Sequence, residues 1–228
     1  MIRKILEFLF SFLKKPASSL PAPEPIPVPV EPAPVVNKSS PVMSSPKEEI
    51  TDSVTEVPDK AIGKAFEKVS DLKRYLKKNM EGSLAWQGVV LHHSETDDDG
   101  MRSDFESIRR YHKETNKWSE IGYHFLIEVS GNKLVVKLGR PLHVAGSHCF
   151  AYNQHFIGIC CVGNFDHYKP AEPIWQFCLE VTKMLMDLYN IKKNRVLGHR
   201  ETYKERGVPV EKQCPGSRFD LSLFRELL

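Results

Sequence analysis

The stretch Val89-Val90-Leu91-His92-His93-Ser94 decides the fold of this chain. Three apolar residues run directly into two histidines and a serine, a pattern that predicts a buried strand ending at the edge of a sheet. Two segments far downstream carry further side chains that bind metals, Leu197-Gly198-His199-Arg200 and Lys212-Gln213-Cys214-Pro215-Gly216. We therefore predict that one of the strand histidines, His199 and Cys214 converge on one zinc ion, and that the rest of the domain builds a cleft around it.

The donor types suit zinc, which prefers nitrogen and sulfur and, in catalytic sites, uses three protein ligands while a fourth position stays open. Adjacent residues of a strand point to opposite faces, so only one of His92 and His93 can bind this ion, and the pattern alone does not decide between them. The chain has no pair of cysteines separated by two residues, which disfavours a structural zinc protein or a redox protein. Taken singly, a histidine is more often a hydrogen-bonded side chain, and a cysteine a buried thiol.

The overall composition is typical of a soluble globular protein, with 41% hydrophobic and 27% charged residues among 228. The net charge of +3 leaves 32 basic residues nearly balanced by 29 acidic ones, and no basic stripe is interleaved with aromatic residues. We therefore expect no nucleic-acid partner. The five cysteines are an odd number and indicate no regular disulfide framework.

The N-terminal stretch MIRKILEFLFSFLKK has polar side chains at helical spacing on an otherwise apolar surface. This pattern predicts an amphipathic helix over 1–15, too short to span a bilayer, which takes about 20 apolar residues. Glu7 interrupts the apolar core that a cleaved signal peptide needs. We expect this helix to lie on a membrane surface as an anchor or an uncleaved export signal. An extra helix packed on the domain is the alternative.

Residues 16–58 are predicted to be a proline-rich, disordered linker. The run PAPEPIPVPVEPAP alternates proline with small or β-branched residues, which favours extended polyproline II structure. The charged and polar stretch that follows buries too little apolar surface to offset the entropy lost on ordering. A spacer is the favoured interpretation, and a proline-rich ligand for a partner domain is the alternative.

The folded domain is predicted to span 59–228. Apolar periodicity, β-rich runs and turn residues predict its elements in this order: a helix over about 60–79, a strand at 86–93, a helix with Phe105, Ile108 and His112 on one face, hairpin strands at 121–129 and 133–138, a strand at 156–162, a helix over 173–190 and a closing helix over 220–228. Because helices interleave with strands, we predict the α/β (α+β) class, a single domain with a central mixed β-sheet flanked by helices.

The block from Trp86 to Leu228 resembles the zinc-dependent N-acetylmuramoyl-L-alanine amidases of the type 2 superfamily, which includes small phage amidases and the peptidoglycan recognition proteins. Five segments carry the resemblance and follow the family's order along the chain: VVLHHSET, RRYHKETNKWSEIGYHFLI, HVAGSHCFAYNQHFIGICCVGNF, LGHRE and KQCPGSRFDL. The N-terminal helix and the linker lie outside this block. The resemblance implies zinc (Zn2+) as the cofactor and peptidoglycan as the substrate.

The resemblance also implies roles for individual residues. In the family's H-H-S/T strand the first histidine binds the metal, which selects His92 as the ligand beside His199 and Cys214. Tyr123, in the W-x-x-I-G-Y-H-F segment, and Lys212, two positions before the cysteine, match catalytic positions. The phenol could stabilise an oxyanion, and the lysine could add positive charge or move a proton. A core tyrosine and a surface lysine are the alternatives.

Several other polar residues fall in the same segments. His148 and Asn153, in the polar loop after the hairpin, are candidate substrate-binding residues, and support of the loop is the alternative for His148. We expect His93 to lie on the other strand face, where its side chain either supports a metal ligand or packs against neighbouring residues. We expect His124 to be structural and His112 to pack its helix.

Two features depart from the family's pattern. Another branch of the superfamily carries a catalytic glutamate in its I-G-I-E segment, and the corresponding residue here is Cys160, which argues against a carboxylate general base on this strand. The interval between His199 and Cys214 also looks longer than in the recognition proteins, so we expect an extra loop, ETYKERGVPVEK, beside the cleft.

The resemblance implies a zinc-dependent peptidoglycan amidase that hydrolyses the amide bond between N-acetylmuramic acid and L-alanine of the stem peptide. A non-catalytic module that recognises muropeptides is the alternative. Relatives without activity typically lack a zinc ligand, and this chain has candidates for all three, which favours the enzyme. We expect a monomer that acts outside the cytoplasm, in the periplasm or cell envelope, tethered to the membrane by its first helix.

Overall fold

The computed structural model describes residues 61–79, 82–96 and 104–228. The predicted N-terminal helix (1–15) and linker (16–58) lie outside these ranges, as does the predicted start of the domain. Within them the fold class predicted from the sequence is confirmed, because one mixed β-sheet is flanked by helices. None of the helices in the described ranges is both long enough and apolar enough to cross a bilayer.

The domain is built from strands and helices that largely alternate along the chain. The strands are β1 (Ala65–Phe66), β2 (Gly88–His93), β3 (Phe125–Ser130), β4 (Lys133–Leu138), β5 (Phe156–Cys161) and β6 (Val196–Gly198). The α-helices are α1 (Val69–Lys78), α2 (Asp104–Arg110), α3 (Glu172–Tyr189), α4 (His199–Glu205) and α5 (Leu221–Leu227). A π-helical turn (Tyr111–Thr115) extends α2, and a 3₁₀ turn (Lys193–Arg195) precedes β6.

The strands form a single sheet in the order β1-β4-β3-β5-β2-β6. The first three strands in this order pair antiparallel, whereas β3, β5, β2 and β6 pair parallel. The strand β2 therefore lies between two parallel neighbours. The carboxyl ends of β5, β2 and β6 meet at one edge, which is where sheets of this kind bind ligands.

Side chains of β2 alternate between two cores. Val89 and Leu91 belong to the larger core, which the apolar face of α3 covers. Val90 lies in a smaller cluster on the opposite face of the sheet. His92 and His93 continue the alternation, so their imidazoles lie on opposite faces.

The predicted helix over 173–190 corresponds to α3. Pro173 lies in its first turn, where the amide hydrogen that proline lacks would have no partner within the helix. Asn190 ends the helix in a left-handed conformation with φ of 54°. The apolar face, which includes Val181 and Leu185, packs onto the sheet as its periodicity predicted.

The predicted helix over 60–79 is helical only from Val69 onward. Gly63 adopts a left-handed backbone conformation with φ of +84°, which interrupts a helix. Ala65 and Phe66 instead pair antiparallel with Lys137 and Val136 and add β1 to the edge of the sheet.

The predicted strand over 121–129 begins only at Phe125. The Gly122 amide donates to Nδ1 of His112 at 3.1 Å instead of to a strand. The carbonyls of Tyr123 and His124 accept from the amides of Arg140 and Gly139, both at 2.8 Å, just beyond the end of β4. The His124 amide donates to the Gly158 carbonyl of β5 at 3.0 Å. This irregular approach to β3 carries Tyr123 into the site described next.

Candidate metal centre

Two neighbouring strand ends deliver the imidazoles of the site. His92 is the penultimate residue of β2, and His199 follows β6 directly and begins α4. The parallel pairing of Leu91 with Gly198 sets the two ends side by side. The ring centroids of His92 and His199 are consequently 4.8 Å apart.

Cys214 completes a group of three side chains that could hold a metal ion. One ligand atom from each of His92, His199 and Cys214 lies within 4.8 Å of the other two. The Sγ atom of Cys214 is 3.5 Å from Nδ1 of His92. A tetrahedral ion with metal–nitrogen and metal–sulfur distances of about 2.1 and about 2.3 Å separates such atoms by about 3.6 Å, so spacing and donor types both fit zinc.

The loop that carries Cys214 is fixed by Arg200 of α4. The Arg200 amide donates to the Cys214 carbonyl at 2.7 Å. The Arg200 guanidinium donates to the carbonyls of Gln213 and Gly216 through Nη1, and to that of Phe219 through Nη2 at 2.9 Å. One side chain therefore ties together the turn on both sides of the sulfur.

Burial sets the protonation states of the three donors. It is the main cause that holds the pKa of His92 well below its usual value, and with the charge of Lys212 it lowers the pKa of His199 to about 4. Burial also raises the pKa of the Cys214 thiol to about 12. At neutral pH the group offers two neutral imidazoles and a thiol, and this thiol must lose its proton to bind a cation.

The three donors line an open cleft with a volume of about 720 Å³. One wall is formed by α2 and the π-helical turn, through residues such as Ile108 and Tyr111. The segment Ser94–Thr96 after β2 and the side chain of Trp118 also line it. Pockets of about 300–1,000 Å³ hold small ligands and short polymer segments, so the cleft is large enough for a substrate.

Tyr123 reaches the cleft next to the candidate ligands. Its ring centroid lies 5.1 Å from that of His92. Burial raises the pKa of Tyr123 well above its usual value, and nearby Cys160 adds to the shift by a side-chain hydrogen bond. The hydroxyl therefore stays protonated and is able to donate a hydrogen bond.

Lys212 also lines the cleft, on an exposed part of the loop before Cys214. The predicted extra loop, ETYKERGVPVEK, is loop only in its second half, because its first residues continue α4 to Glu205. Lys212 is exposed and makes no contact within the described ranges that would show a catalytic role, so that role stays a prediction.

The two candidate substrate-binding residues occupy different places. His148 is buried beside His92, with its Nδ1 atom 3.0 Å from Nε2 of His92. Asn153 is not among the residues that line the cleft; its Oδ1 atom accepts hydrogen bonds from the amides of His148 and Cys149 at 2.8 and 2.9 Å. The structure thus places His148 at the site, whereas Asn153 holds the backbone of the loop that carries His148. Contact of either residue with substrate stays a prediction.

His93 belongs to a second group of potential donors, with Glu95 and Asp166. The Phe165 amide donates to Nδ1 of His93 at 3.2 Å, so in a neutral ring Nε2 carries the proton. Nε2 faces the two carboxylates at 3.6 and 3.9 Å and makes no hydrogen bond within the described ranges. A protonated nitrogen has no lone pair for a metal, so this second group does not fit a metal ion.

His124 and the cysteines other than Cys214 lie in structural surroundings. His124 accepts a hydrogen bond from the Gly158 amide at 2.9 Å and lies outside the cleft, as expected. All five cysteines are free and buried. Cys160 and Cys161 belong to clusters on opposite faces of the sheet.

Two features of the site have no clear signal in the sequence pattern. His112, expected only to pack its helix, lines the cleft and lies with its ring centroid 5.4 Å from that of Tyr123. Arg109 of α2 makes a two-pronged ion pair with buried Glu120, at 2.6 and 2.7 Å, and Glu120 also accepts the Ile121 amide at 2.8 Å. This pair ties the cleft wall to the segment that carries Tyr123.

Comparisons with known proteins identify the family to which this fold and sequence are similar. A profile described as N-acetylmuramoyl-L-alanine amidase matches residues 82–217. The chain is 30% identical over 134 residues to a human N-acetylmuramoyl-L-alanine amidase, covering 55% of this chain and 21% of that protein. It is 44% identical over 59 residues to the endolysin of Escherichia phage T7, covering 26% of this chain and 36% of that protein. The chain thus spans well under two thirds of the curated relatives it matches.

A solved structure shares the fold over a larger fraction. It is an endolysin N-acetylmuramoyl-L-alanine amidase from Clostridium intestinale, 26% identical, with a TM-score of 0.51. The similarity covers 64% of this chain and 84% of that one. The two chains therefore share the fold over this region.

Proposed function

The chain belongs to the N-acetylmuramoyl-L-alanine amidase family, and from this we propose that it is a zinc-dependent peptidoglycan amidase. It hydrolyses the amide bond between N-acetylmuramic acid and L-alanine of the stem peptide. One observation carries the proposal: the donor atoms of His92, His199 and Cys214 lie within 4.8 Å of one another in the wall of an open cleft. A module that only recognises muropeptides has no need of a complete set of metal donors.

The proposed mechanism assigns one task to each side chain. His92, His199 and Cys214 hold a zinc ion, which when bound polarises the amide carbonyl and makes a water molecule more acidic. Tyr123, protonated because it is buried, donates a hydrogen bond to the carbonyl oxygen as negative charge develops there. Lys212 adds positive charge at the rim of the cleft or moves a proton.

The substrate class is peptidoglycan or its muropeptide fragments. The volume of about 720 Å³ accommodates a stem peptide and the lactyl group attached to it. Aromatic side chains such as Trp118 give the cleft apolar surface, and the polar segment Ser94–Thr96 offers hydrogen-bonding groups. His148 and Asn153 are the candidate substrate contacts of the loop that borders the cleft.

The test combines metal analysis with mass spectrometry of digested sacculi. We expect about one zinc ion per chain and release of free stem peptides. Cys214→Ala loses both zinc and release, because two imidazoles alone bind zinc weakly. Cys178→Ala is the matched control, because it removes a buried thiol from the core on the other side of the sheet. If zinc-loaded protein bound muropeptides but released no stem peptides, the recognition module would be the correct function and the amidase would not.

The proposed activity lies outside the cytoplasmic membrane, where peptidoglycan is found. We further propose that residues 1–15 hold the enzyme at the membrane surface and that the linker over 16–58 gives the domain reach. The chain acts as a monomer in this proposal, because the candidate donors all come from one chain.

A further inference from the structure

The ring of His148 is held in a space that two glycines leave open. It packs against β5, where a methyl group on Gly158 would lie 2.6 Å from Cδ2 of His148. A methyl group on Gly146 would lie 2.8 Å from Nε2 of the same ring. Any larger residue at either position would displace the imidazole, so packing fixes the plane and direction of the ring.

Hydrogen bonding determines which nitrogen of His148 carries the proton. The Nε2 atom lies 3.1 Å from the carbonyl oxygen of Phe156. A carbonyl oxygen only accepts, so Nε2 must donate. The ring is buried between two other imidazoles, those of His92 and His124, with ring centroids 5.0 and 5.6 Å away, and a neutral imidazole carries a proton on one nitrogen only. Its Nδ1 atom therefore presents a lone pair.

That lone pair determines the proton position of His92 in turn. Nε2 of His92 is 3.0 Å from Nδ1 of His148, and an atom that faces a lone pair must donate. The proton of His92 is therefore on Nε2. The other nitrogen, Nδ1, is left with its lone pair directed toward Cys214 Sγ, 3.5 Å away.

From this chain of bonds we propose that His148 is a positioning residue that fixes the tautomer of His92 and directs its Nδ1 lone pair at the metal position. The inference rests on the proposed zinc site and deepens it. It also accounts for a buried histidine that the mechanism leaves unused. Both ring nitrogens of His148 are engaged by protein atoms, so this positioning role takes the place of the substrate contact proposed for His148 above.

Two near-isosteric variants separate this role from simple packing. In His148→Asn the amide oxygen takes the approximate place of Nδ1 and still accepts from His92. In His148→Gln the amide nitrogen takes the approximate place of Nε2, so the bond to Phe156 survives and the acceptor for His92 is lost. Histidine partners of this kind typically change metal affinity by about 10- to 100-fold.

The first measurement is the tautomer of His92 in metal-free protein, read from long-range nitrogen–proton NMR correlations of its ring. We expect the Nε2–H form in the wild type and in His148→Asn, and a mixture of tautomers in His148→Gln. The second measurement is the zinc dissociation constant, by competition with a chelator. We expect it to rise about 10- to 100-fold in His148→Gln and clearly less in His148→Asn.

His155→Ala, which removes an exposed histidine close to the same loop, is the control and should leave both measurements unchanged. An unchanged tautomer and an unchanged zinc affinity in His148→Gln would overturn the inference and leave the proposed function intact. A wild-type protein that binds no zinc would overturn the proposed function. The NMR experiment on metal-free protein would still test the role of His148, because it needs no metal.

Discussion

Removing the hydroxyl of Tyr123 is expected to slow catalysis without weakening metal binding. Tyr123 is not one of the three candidate donors, yet its ring lies 5.1 Å from that of His92. We expect Tyr123→Phe to bind zinc as tightly as the wild type while kcat for peptide release falls about 100-fold, the usual cost of losing one oxyanion donor. Zinc titration and release kinetics on the same preparations test this.

Tyr189→Phe is the matched control for that variant. Tyr189 lies on α3, and its hydroxyl pairs with Ser83 Oγ at 3.0 Å, outside the cleft. Removing it costs one hydrogen bond of similar kind and should leave kcat unchanged. Equal kcat in Tyr123→Phe and Tyr189→Phe would contradict the proposed role of Tyr123.

The two adjacent histidines show what the sequence can and cannot predict about single residues. Strand alternation required that His92 and His93 face opposite sides, but not which of them faces the site. That choice depends on the chain far away, because the loop of Cys214 reaches one face only. His92 faces Cys214, whereas His93 packs its ring against Phe165 and gives Cys214 only its backbone amide, at 3.4 Å.

At the scale of elements, Arg200 joins α4 to the loop of Cys214. A lysine in its place keeps the charge but has one nitrogen to serve three carbonyls. We expect Arg200→Lys to loosen the loop and raise the zinc dissociation constant about tenfold, measured by chelator competition.

Arg218→Lys is the control for the loop, because Arg218 is exposed on the same stretch and its guanidinium donates to the Asp166 carbonyl, at 3.2 Å, and not to the turn around Cys214. Its zinc affinity should match that of the wild type. If both variants bind zinc like the wild type, the guanidinium of Arg200 does not control the position of the sulfur.

The ion pair of Arg109 with Glu120 fixes α2 against the segment before β3. Burial raises the pKa of Glu120, but hydrogen bonds from Arg109 and the Ile121 amide outweigh it and leave the pKa below its usual value. Folding thus lowers this pKa, so the carboxylate stabilises the fold above its unfolded pKa, and the contribution is lost as the pH falls through the folded pKa. We expect Glu120→Gln to lower the free energy of unfolding by about 1–3 kcal/mol at neutral pH.

Urea unfolding at neutral pH and at about pH 3 measures this effect, and the difference between wild type and variant should shrink at the lower pH. Glu106→Gln is the control, since Glu106 is exposed and only approaches Arg109, at 4.0 Å. It should change stability by less than about 0.5 kcal/mol. A pH-independent loss in Glu120→Gln would show that the charge is not the cause.

Elements with their own apolar periodicity were predictable, and short ones were not. The helix α3 and the strand β5 were predicted to within one residue or so, because their side chains alone determine what they bury. The strand β1 was missed because two residues carry no period, and its pairing with β4 decides its conformation. The late start of β3 was missed because the Gly122 amide bonds to the His112 ring and not to a strand partner, a contact that no local pattern encodes.

At the scale of the whole molecule, the alternation of helices and strands was sufficient to predict one mixed sheet. The strand order β1-β4-β3-β5-β2-β6 was not predictable, since it requires crossings that no local pattern encodes. This order makes β2 and β6 neighbours and so creates the cleft. The family resemblance did not supply this order, but it selected His92 as the ligand, a choice that the local patterns left open.

The amphipathic stretch over 1–15 leads to a prediction about the full chain. Its apolar face, with Arg3, Lys4, Lys14 and Lys15 at the ends, should bind anionic bilayers. We expect the full chain to sediment with vesicles that contain phosphatidylglycerol, and a chain lacking residues 1–15 to stay in solution. Both should release stem peptides from sacculi at similar rates. Equal sedimentation of the two chains would exclude this stretch as the anchor.

All five cysteines lie within the described ranges and are buried. Cys214 is the one among them that lines the cleft. Electrophiles that enter the groove therefore meet a single sulfur. A bound cation blocks access to that sulfur, whereas in metal-free protein a small alkylating agent can reach it, at a slow rate because the raised pKa of the thiol keeps the thiolate fraction small. The extent of labelling at this one thiol consequently reports which fraction of the protein holds no metal ion.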